Sequence, residues 1–433
     1  MTRRLMVASL AAVTAISLGG CASSIGDSDN SSSAGTKAPG EKVTLSFSSY
    51  AFQGPTVKAT EQIVSSWNKA HPDIHVNYQK VDPNSVHDKL VTQFAGNSAP
   101  DIIHDEAADI AGFSQQGYLA DLTSLIPSNL KQNVPDSVWQ SVTYDNKITG
   151  IPTIAQVYNV FVNKKALKKS GVALPTESNP WTWDDLMANA KKLTKGNGTY
   201  GFAWGLKSPT SGLMSSSLAC GAKFVSGTSN PTMTIGKAEM QVPNDVRKML
   251  QDKTMAPNST SLGGSDVLPG FFGGKYPMIM AGNYVATQID QKAPQGFDWT
   301  MIPLIKCKTQ DQMSDPQTLS VARQSKHPKE AMQFIAYFMK AENLAKIAEG
   351  DSLIPVSKPA AAIMKKDLSG KNGWNVILDS AGDLVDAPWN KTTRYPEWKS
   401  DIATPAYQEF LSGKIDAATL KKRLTQGWAN AKH

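Results

Sequence analysis

Apolar and polar residues alternate through Val43-Thr44-Leu45-Ser46-Phe47-Ser48, and this period of two predicts a strand. The spacing then turns helical, with Ile63, Val64 and Trp67 on one face and His71-Pro72 closing the run. Ile74-His75-Val76-Asn77-Tyr78 returns to alternation, and Val86, Leu90 and Phe94 mark a second helix. Residues 96–100, bounded by Gly96 and Pro100, break the chain before a strand at Asp101-Ile102-Ile103. A second series begins at Tyr158, where Val160-Phe161-Val162 is a short strand and Asn163 is placed to cap a helix from Lys164. Thr182 stands three residues before Asp185 in the manner of a capping box. Ala331, Phe334, Ile335, Phe338 and Met339 share one face of a helix opened by His327-Pro328, and Tyr395-Pro396-Glu397-Trp398 starts the last pair of helices. Strands alternating with helices predict an α/β fold of open, mostly parallel sheets. Ligands bind such sheets at the carboxyl ends of strands, which directs attention to residues 49–53, 104–108 and the stretch after Ile151-Pro152.

The first forty residues follow another logic. Arg3 and Arg4 precede an almost uncharged apolar run over residues 5–18, too short for a comfortable membrane span, and the order predicts a secretory signal peptide over residues 1–20. Leu18-Gly19-Gly20-Cys21 resembles the bacterial lipobox, which implies lipidation of Cys21 and anchoring on the extracytoplasmic face of the cell membrane. Residues 21–42 are rich in Ser, Gly, Asp and Asn and lack aromatics, so they read as a flexible tether. About 390 residues remain, too many for one core, and two lobes are expected. The formal charge of +7 falls to +5 without Arg3 and Arg4, and the lysines are scattered, so no nucleic-acid surface is indicated. Cys220 and Cys307 can pair outside the cell or stand as two small buried hydrophobes, the commoner fate of one isolated pair in a large body.

Five collinear segments carry a resemblance: Ala99-Pro100-Asp101-Ile102-Ile103, Tyr158-Asn159-Val160-Phe161-Val162-Asn163-Lys164 with Gly171 and Pro175, Trp183-Asp184-Asp185-Leu186, Gly274-Lys275-Tyr276-Pro277-Met278-Ile279-Met280-Ala281-Gly282, and Ser325-Lys326-His327-Pro328-Lys329-Glu330-Ala331. Together they resemble the family 1 extracellular solute-binding proteins, the relatives of maltose-binding protein. The resemblance implies a two-lobed periplasmic-binding-protein-like fold of type II, with ligand in the cleft and two or three strand crossings as the hinge. The crossings fall near residues 152–156, 318–323 and 355–358. They divide the body into a first lobe of residues 43–153 plus 318–356 and a second of 154–317 plus 357–433. A monomer that passes its solute to an ABC transporter permease is implied, without catalytic residues, metal or cofactor.

The chemistry of the predicted cleft loops points to carbohydrate. A sugar ring offers apolar faces and a rim of hydroxyls, which suit flat aromatics combined with carboxylates and amides. Tyr50, Phe52 and Gln53 follow the first strand; Asp105 and Glu106 follow the third; Gln156 and Tyr158 lie at the first crossing. Asn283 and Tyr284 follow the Met278-Ile279-Met280 strand, Asp351 precedes the third crossing, and Trp204 and Trp389 supply further aromatic surface. By resemblance, Tyr284 takes the position of a stacking aromatic. Asp105 stands where the better-known relative has an aromatic, and Gln156 replaces a carboxylate, so the sugar need not be the same.

Other readings remain. The solute can instead be a peptide, a polyamine or a glycerol phosphate, although an anionic ligand calls for arginine and the candidate loops hold none before Arg323. Asp105-Glu106 suggests a glycosidase pair, but neighbours on a strand point to opposite faces. His71 and His75 have zinc-like spacing that Pro72 spoils, and His104 has no second histidine nearby.

Overall fold

The computed structural model describes residues 42–82, 85–227 and 231–431. The expected signal peptide, Cys21 and the tether up to residue 41 lie outside them. Among the described residues no helix is long and apolar enough to cross a membrane.

The strands of the two main sheets are, in chain order, β1 (Val43–Ser49), β2 (Ile74–Lys80), β3 (Ile102–Glu106), β4 (Gly150–Ala155), β5 (Tyr158–Asn163), β6 (Phe202–Trp204), β7 (Met278–Gly282), β8 (Trp299–Met301), β9 (Pro316–Val321) and β10 (Ile354–Pro355). One sheet is ordered β10-β4-β9-β3-β1-β2 and the other β8-β5-β7-β6. Each anchors one lobe of the α/β fold.

The alternation in β1 becomes a core face. Val43, Leu45 and Phe47 are buried, and Phe47 meets the rings of Tyr78, Phe334 and Phe338 at centroid distances of 5.7, 5.6 and 6.2 Å. The helix Gly54–Ala70 buries Ile63, Val64 and Trp67 on that face, and Trp67 Nε1 donates to the Ile74 carbonyl at 2.9 Å, locking the helix to β2. His71 stacks on Trp67 at 3.5 Å, so it closes the helix end rather than teaming with His75. Asp101 is a staple: its Oδ2 accepts from Ser46 N at 2.8 Å, and its Oδ1 accepts from Ser325 Oγ at 2.6 Å.

β2, β1 and β3 run parallel, as the βαβ pattern implies. β9 then inserts antiparallel between β3 and β4, with Thr318 opposite Asp105, and β10 lies antiparallel on β4. The mixed edge arises because β9 re-enters the sheet after the chain has visited the other one. A register irregularity between Pro316 and Thr318 marks that re-entry, a common device for re-aiming side chains beside a site.

In the second sheet β5 pairs antiparallel with β7 and β8, and β7 is parallel to β6. Asn163 Oδ1 accepts from Ala166 N at 3.0 Å, and Thr182 and Asp185 form the reciprocal box. Cys220 and Cys307 form a disulfide with a Cα separation of 4.9 Å, not two independent buried thiols. The bond ties the end of the helix Pro209–Leu218 to the loop after β8. The final helices depart from the simple pair expected. Tyr395–Glu397 runs into a π-helical turn, Trp398–Ala403, before Thr404–Leu411 and Ala417–Asn430.

Candidate functional site: a cleft between the two sheets

The chain passes from β4 to β5 through Gln156 and Val157, and a buried amide fixes that passage. Asn283 Oδ1 accepts from Val157 N at 3.1 Å while Asn283 N donates to the Val157 carbonyl at 3.0 Å. Gln312 clamps the next residue, donating to the Tyr158 carbonyl at 2.9 Å and accepting from Tyr158 N at 2.7 Å. Glycine is required beside this passage. A Cβ on Gly282 would fall 2.6 Å from both the Gln156 amide carbon and the Tyr284 ring, so these side chains lie directly over its backbone. A Cβ on Gly212 would likewise strike Trp204 and touch Tyr158.

The other wall is the carboxyl end of β3 and the helix Ala107–Gln115 that follows it. This junction carries Asp105, Glu106 and Asp109, and Asp315 joins them by accepting from Ala108 N at 3.0 Å. Lys399, on the π-helical turn of the second lobe, faces Asp315, Glu106 and Asp109. A cavity of about 430 Å³ opens here, lined by Ala108 and Asp109 from one side and by Ser208, Tyr395, Lys399 and Thr404 from the other.

The electrostatics follow from this crowding. Burial raises the Glu106 carboxyl well above the usual carboxylate range, and Asp315, Asp109 and Asp105 push it further, against Lys399. Glu106 nevertheless keeps solvent contact along the cleft. Burial and then Asp109 lift Asp315 to about 6, and the same two causes raise Asp105. Tyr158 is raised by burial, then by Tyr284, Tyr395, Glu106 and Asp315, which marks these groups as its neighbours. Lys399 is held above its ordinary value, first by Tyr395 and then by Asp315, Glu106 and Asp109, against its own burial.

The structure thus brings together Tyr50, Asp105, Glu106, Gln156, Tyr158 and Tyr284 of the expected set. Tyr50 is stacked on His104 at 4.6 Å, and its hydroxyl has no partner. Other expected residues sit elsewhere. Trp204 and Trp389 are fully buried in the core of the second lobe and present no surface to a ligand. Asn283 is fully buried at the crossing, and Phe52 is 51% exposed. Gln53 Nε2 donates to the Asp351 carbonyl at 3.0 Å, and Thr56 Oγ1 donates to the Asp351 carboxylate, so Gln53 and Asp351 staple the start of one helix to the end of another. His104 is satisfied between Ser49 Oγ at 2.7 Å and Gln317 Oε1 at 2.9 Å. Among the described residues no group of three or more His, Cys, Asp or Glu is arranged to hold a metal ion.

Asp109, Asp315, Tyr395 and Lys399 are the additions that sequence reasoning missed. Asp109 lies three residues beyond Glu106, and Tyr395 and Lys399 lie in or next to the Tyr395-Pro396-Glu397-Trp398 helix start, which the sequence marked for structure and not for binding. A larger cavity of about 500 Å³ lies between the helices Gly54–Ala70, Val285–Lys292 and Ala341–Asp351. It is lined by residues such as Lys58, Asp290, Glu349 and Trp374 and by none of the expected ones. None of the expected residues lines the smaller cavity either; it is the better candidate because Asp109 and Lys399 line it and the charges of Glu106 and Asp315 act on Lys399.

Residues 38–345 match the model of the family described as bacterial extracellular solute-binding protein. The "Uncharacterized lipoprotein in oleD 5'region" of Streptomyces antibioticus is 36% identical over 387 residues, covering 88% of this chain and 85% of that one. The arabinooligosaccharide-binding protein of Bacillus subtilis is 25% identical over 324 residues, 71% of this chain and 72% of its own. An ABC substrate-binding protein from Listeria monocytogenes, solved in complex with cycloalternan, superposes with a TM-score of 0.74 at 23% identity over 90% of this chain and 98% of that one.

Proposed function

The chain belongs to the bacterial extracellular solute-binding proteins, and from that premise we propose that it captures an oligosaccharide between its lobes and delivers it to an ABC transporter permease. The observation that carries this reading is the pairing of Gln156 and Tyr284 over Gly282, beside Tyr158, which has both Tyr284 and Glu106 as neighbours. An aromatic face beside a planar amide and a carboxylate matches the apolar face and hydroxyl rim of a sugar. The oligosaccharide ligands named for the Bacillus and Listeria proteins support the same class.

Ligand bridging both walls stabilises the closed arrangement by its differential affinity for it. This reading gives Asp105 and Glu106 a binding role rather than a catalytic one, in keeping with a family of solute-binding proteins. The S. antibioticus relative bears the name lipoprotein, in keeping with the Leu18-Gly19-Gly20-Cys21 segment. Two acyl chains on Cys21 would hold the protein stably where one would not, and the tether would keep it close to its permease. Capture followed by release calls for micromolar affinity, about −8 kcal/mol. Calorimetry against di- to tetrasaccharides of varied linkage tests the reading. At least one saturable ligand is expected; silence across the panel together with binding of peptides would refute it.

A further inference from the structure

Carboxylates outnumber cations where β3 ends. Asp105, Glu106 and Asp109 stand together on one wall, and Asp315 joins them through its bond to Ala108 N. The cation facing this group is Lys399. Lys391, at the edge, is already paired with Asp386 at 2.8 Å. The phenols of Tyr50, Tyr144, Tyr158 and Tyr395, also neighbours, are each raised by burial and therefore neutral. Among the described residues one ammonium thus answers four carboxyl groups, and their full ionisation would leave an excess of three negative charges, with Asp105 buried, Asp109 and Asp315 half-buried and Glu106 open to solvent. Burying charge without compensation is costly, and stacks of like charge are retained where something balances them.

A second observation points the same way. Asp105 is 1% exposed, its Oδ2 has no hydrogen-bond partner, and the charges of Asp109 and Asp315 act on it. Hydroxyls alone do not account for such a cluster. A neutral sugar hydroxyl can donate to a carboxylate but leaves its charge in place. A protonated amine supplies both the donors and the missing charge, in the charge-assisted geometry that makes the stronger hydrogen bonds.

Building on the saccharide reading above, we propose that the Glu106–Asp109–Asp315 end of the cleft receives a protonated amine, so that the preferred ligand is an amine-bearing saccharide rather than a neutral one. The contact carries a pH signature. An ammonium beside these carboxyls favours their ionised forms, so binding near pH 6 expels protons, and affinity rises as pH rises from acid to neutral.

Matched titrations test this on the unaltered protein. Malto- and cello-oligosaccharides are compared calorimetrically with their 2-amino-2-deoxy counterparts at pH 7.5 and pH 5.0 in low salt. At least one amino sugar should bind about tenfold more tightly than its neutral twin at the higher pH, equivalent to about 1.4 kcal/mol. The ratio should shrink at the lower pH, in high salt, and in Asp109→Asn and Asp315→Asn variants. Neutral twins that bind equally or better would overturn the amine assignment while leaving the saccharide reading intact. Saturable binding of spermidine with no saccharide of either series would overturn both.

Discussion

Replacing Asn283 with alanine removes the acceptor of the Val157 N–H at the passage from β4 to β5. In the intact protein that bond is 3.1 Å long, and both residues are fully buried, so no bulk water can take the vacated place. A buried donor left without a partner costs about 1–3 kcal/mol. The Asn283 Nδ2 group has no partner in the native structure, and its removal offsets part of that cost, which favours the middle of the range. For a lobe of roughly 200 residues, unfolding entropy of about 2.1 cal/mol/K per residue turns 1–3 kcal/mol into a fall of about 2–7 °C in the thermal midpoint. Differential scanning calorimetry reads this directly. The consequence for function is separate: Gln156 and Tyr158 flank Val157, so saccharide affinity measured well below the midpoint should also drop. A midpoint within about 1 °C of the parent, with affinity unchanged, would show that Val157 finds another acceptor and that Asn283 does not hold the crossing.

Three further outcomes rest on the structure and a fourth on the Leu18-Gly19-Gly20-Cys21 segment of the sequence. Tyr284→Ala should weaken saccharide binding by about tenfold, because an aromatic contact adds about 0.5–1.5 kcal/mol to the area it buries; calorimetric affinity unchanged within error would remove Tyr284 from the site. Cys220→Ser opens a disulfide whose ends are 87 residues apart and should cost about 2–5 kcal/mol, so identical thermal midpoints with and without dithiothreitol would contradict the pairing. Burial holds His104 down at about 4, below the ordinary 6.5, so the unfolded chain takes up its proton first as pH falls. Stability present above pH 6.5 is therefore lost towards pH 4, by about 3 kcal/mol. The urea midpoint of His104→Asn should decline less over that range than the parent's, and parallel declines would refute the argument. Asp315 and Asp351, raised to about 6, act in the opposite direction, which is why the comparison rather than the absolute slope is informative. Cys21→Ser should leave saccharide binding intact and release the protein into the medium, and retention on membranes would count against the anchor.

The elements that periodicity marked were legible because one physical cause, burial of one face, acts along a short stretch of chain. Val43, Leu45 and Phe47, or Ile63, Val64 and Trp67, point inward for reasons contained within their own segments. The caps at Asn163 and Thr182 were readable for the same reason, since donor and acceptor lie three residues apart. The candidate site was legible only where one loop carries several of its groups, as at Asp105 and Glu106. Asp315, Tyr395 and Lys399 come from segments about two hundred residues and more beyond Glu106, and only the tertiary fold brings them together. Trp204 and Trp389 illustrate the converse. An aromatic near a strand end or turn looks alike in sequence whether it lines a cleft or fills a core, and here both fill the core. The pairing of Cys220 with Cys307 was open for a related reason: it depends on the loop after β8 folding back onto the helix Pro209–Leu218, where Lys308 N reaches the Ala219 carbonyl at 2.9 Å.

A crystal structure of the protein with its tightest-binding saccharide tests the central claim most directly. The account predicts a sugar ring against Tyr284, with hydroxyls or an amine within hydrogen-bonding distance of Gln156 and Glu106. A saccharide seated instead in the cavity beside Lys58, Asp290 and Trp374, with the cleft residues untouched, would contradict it.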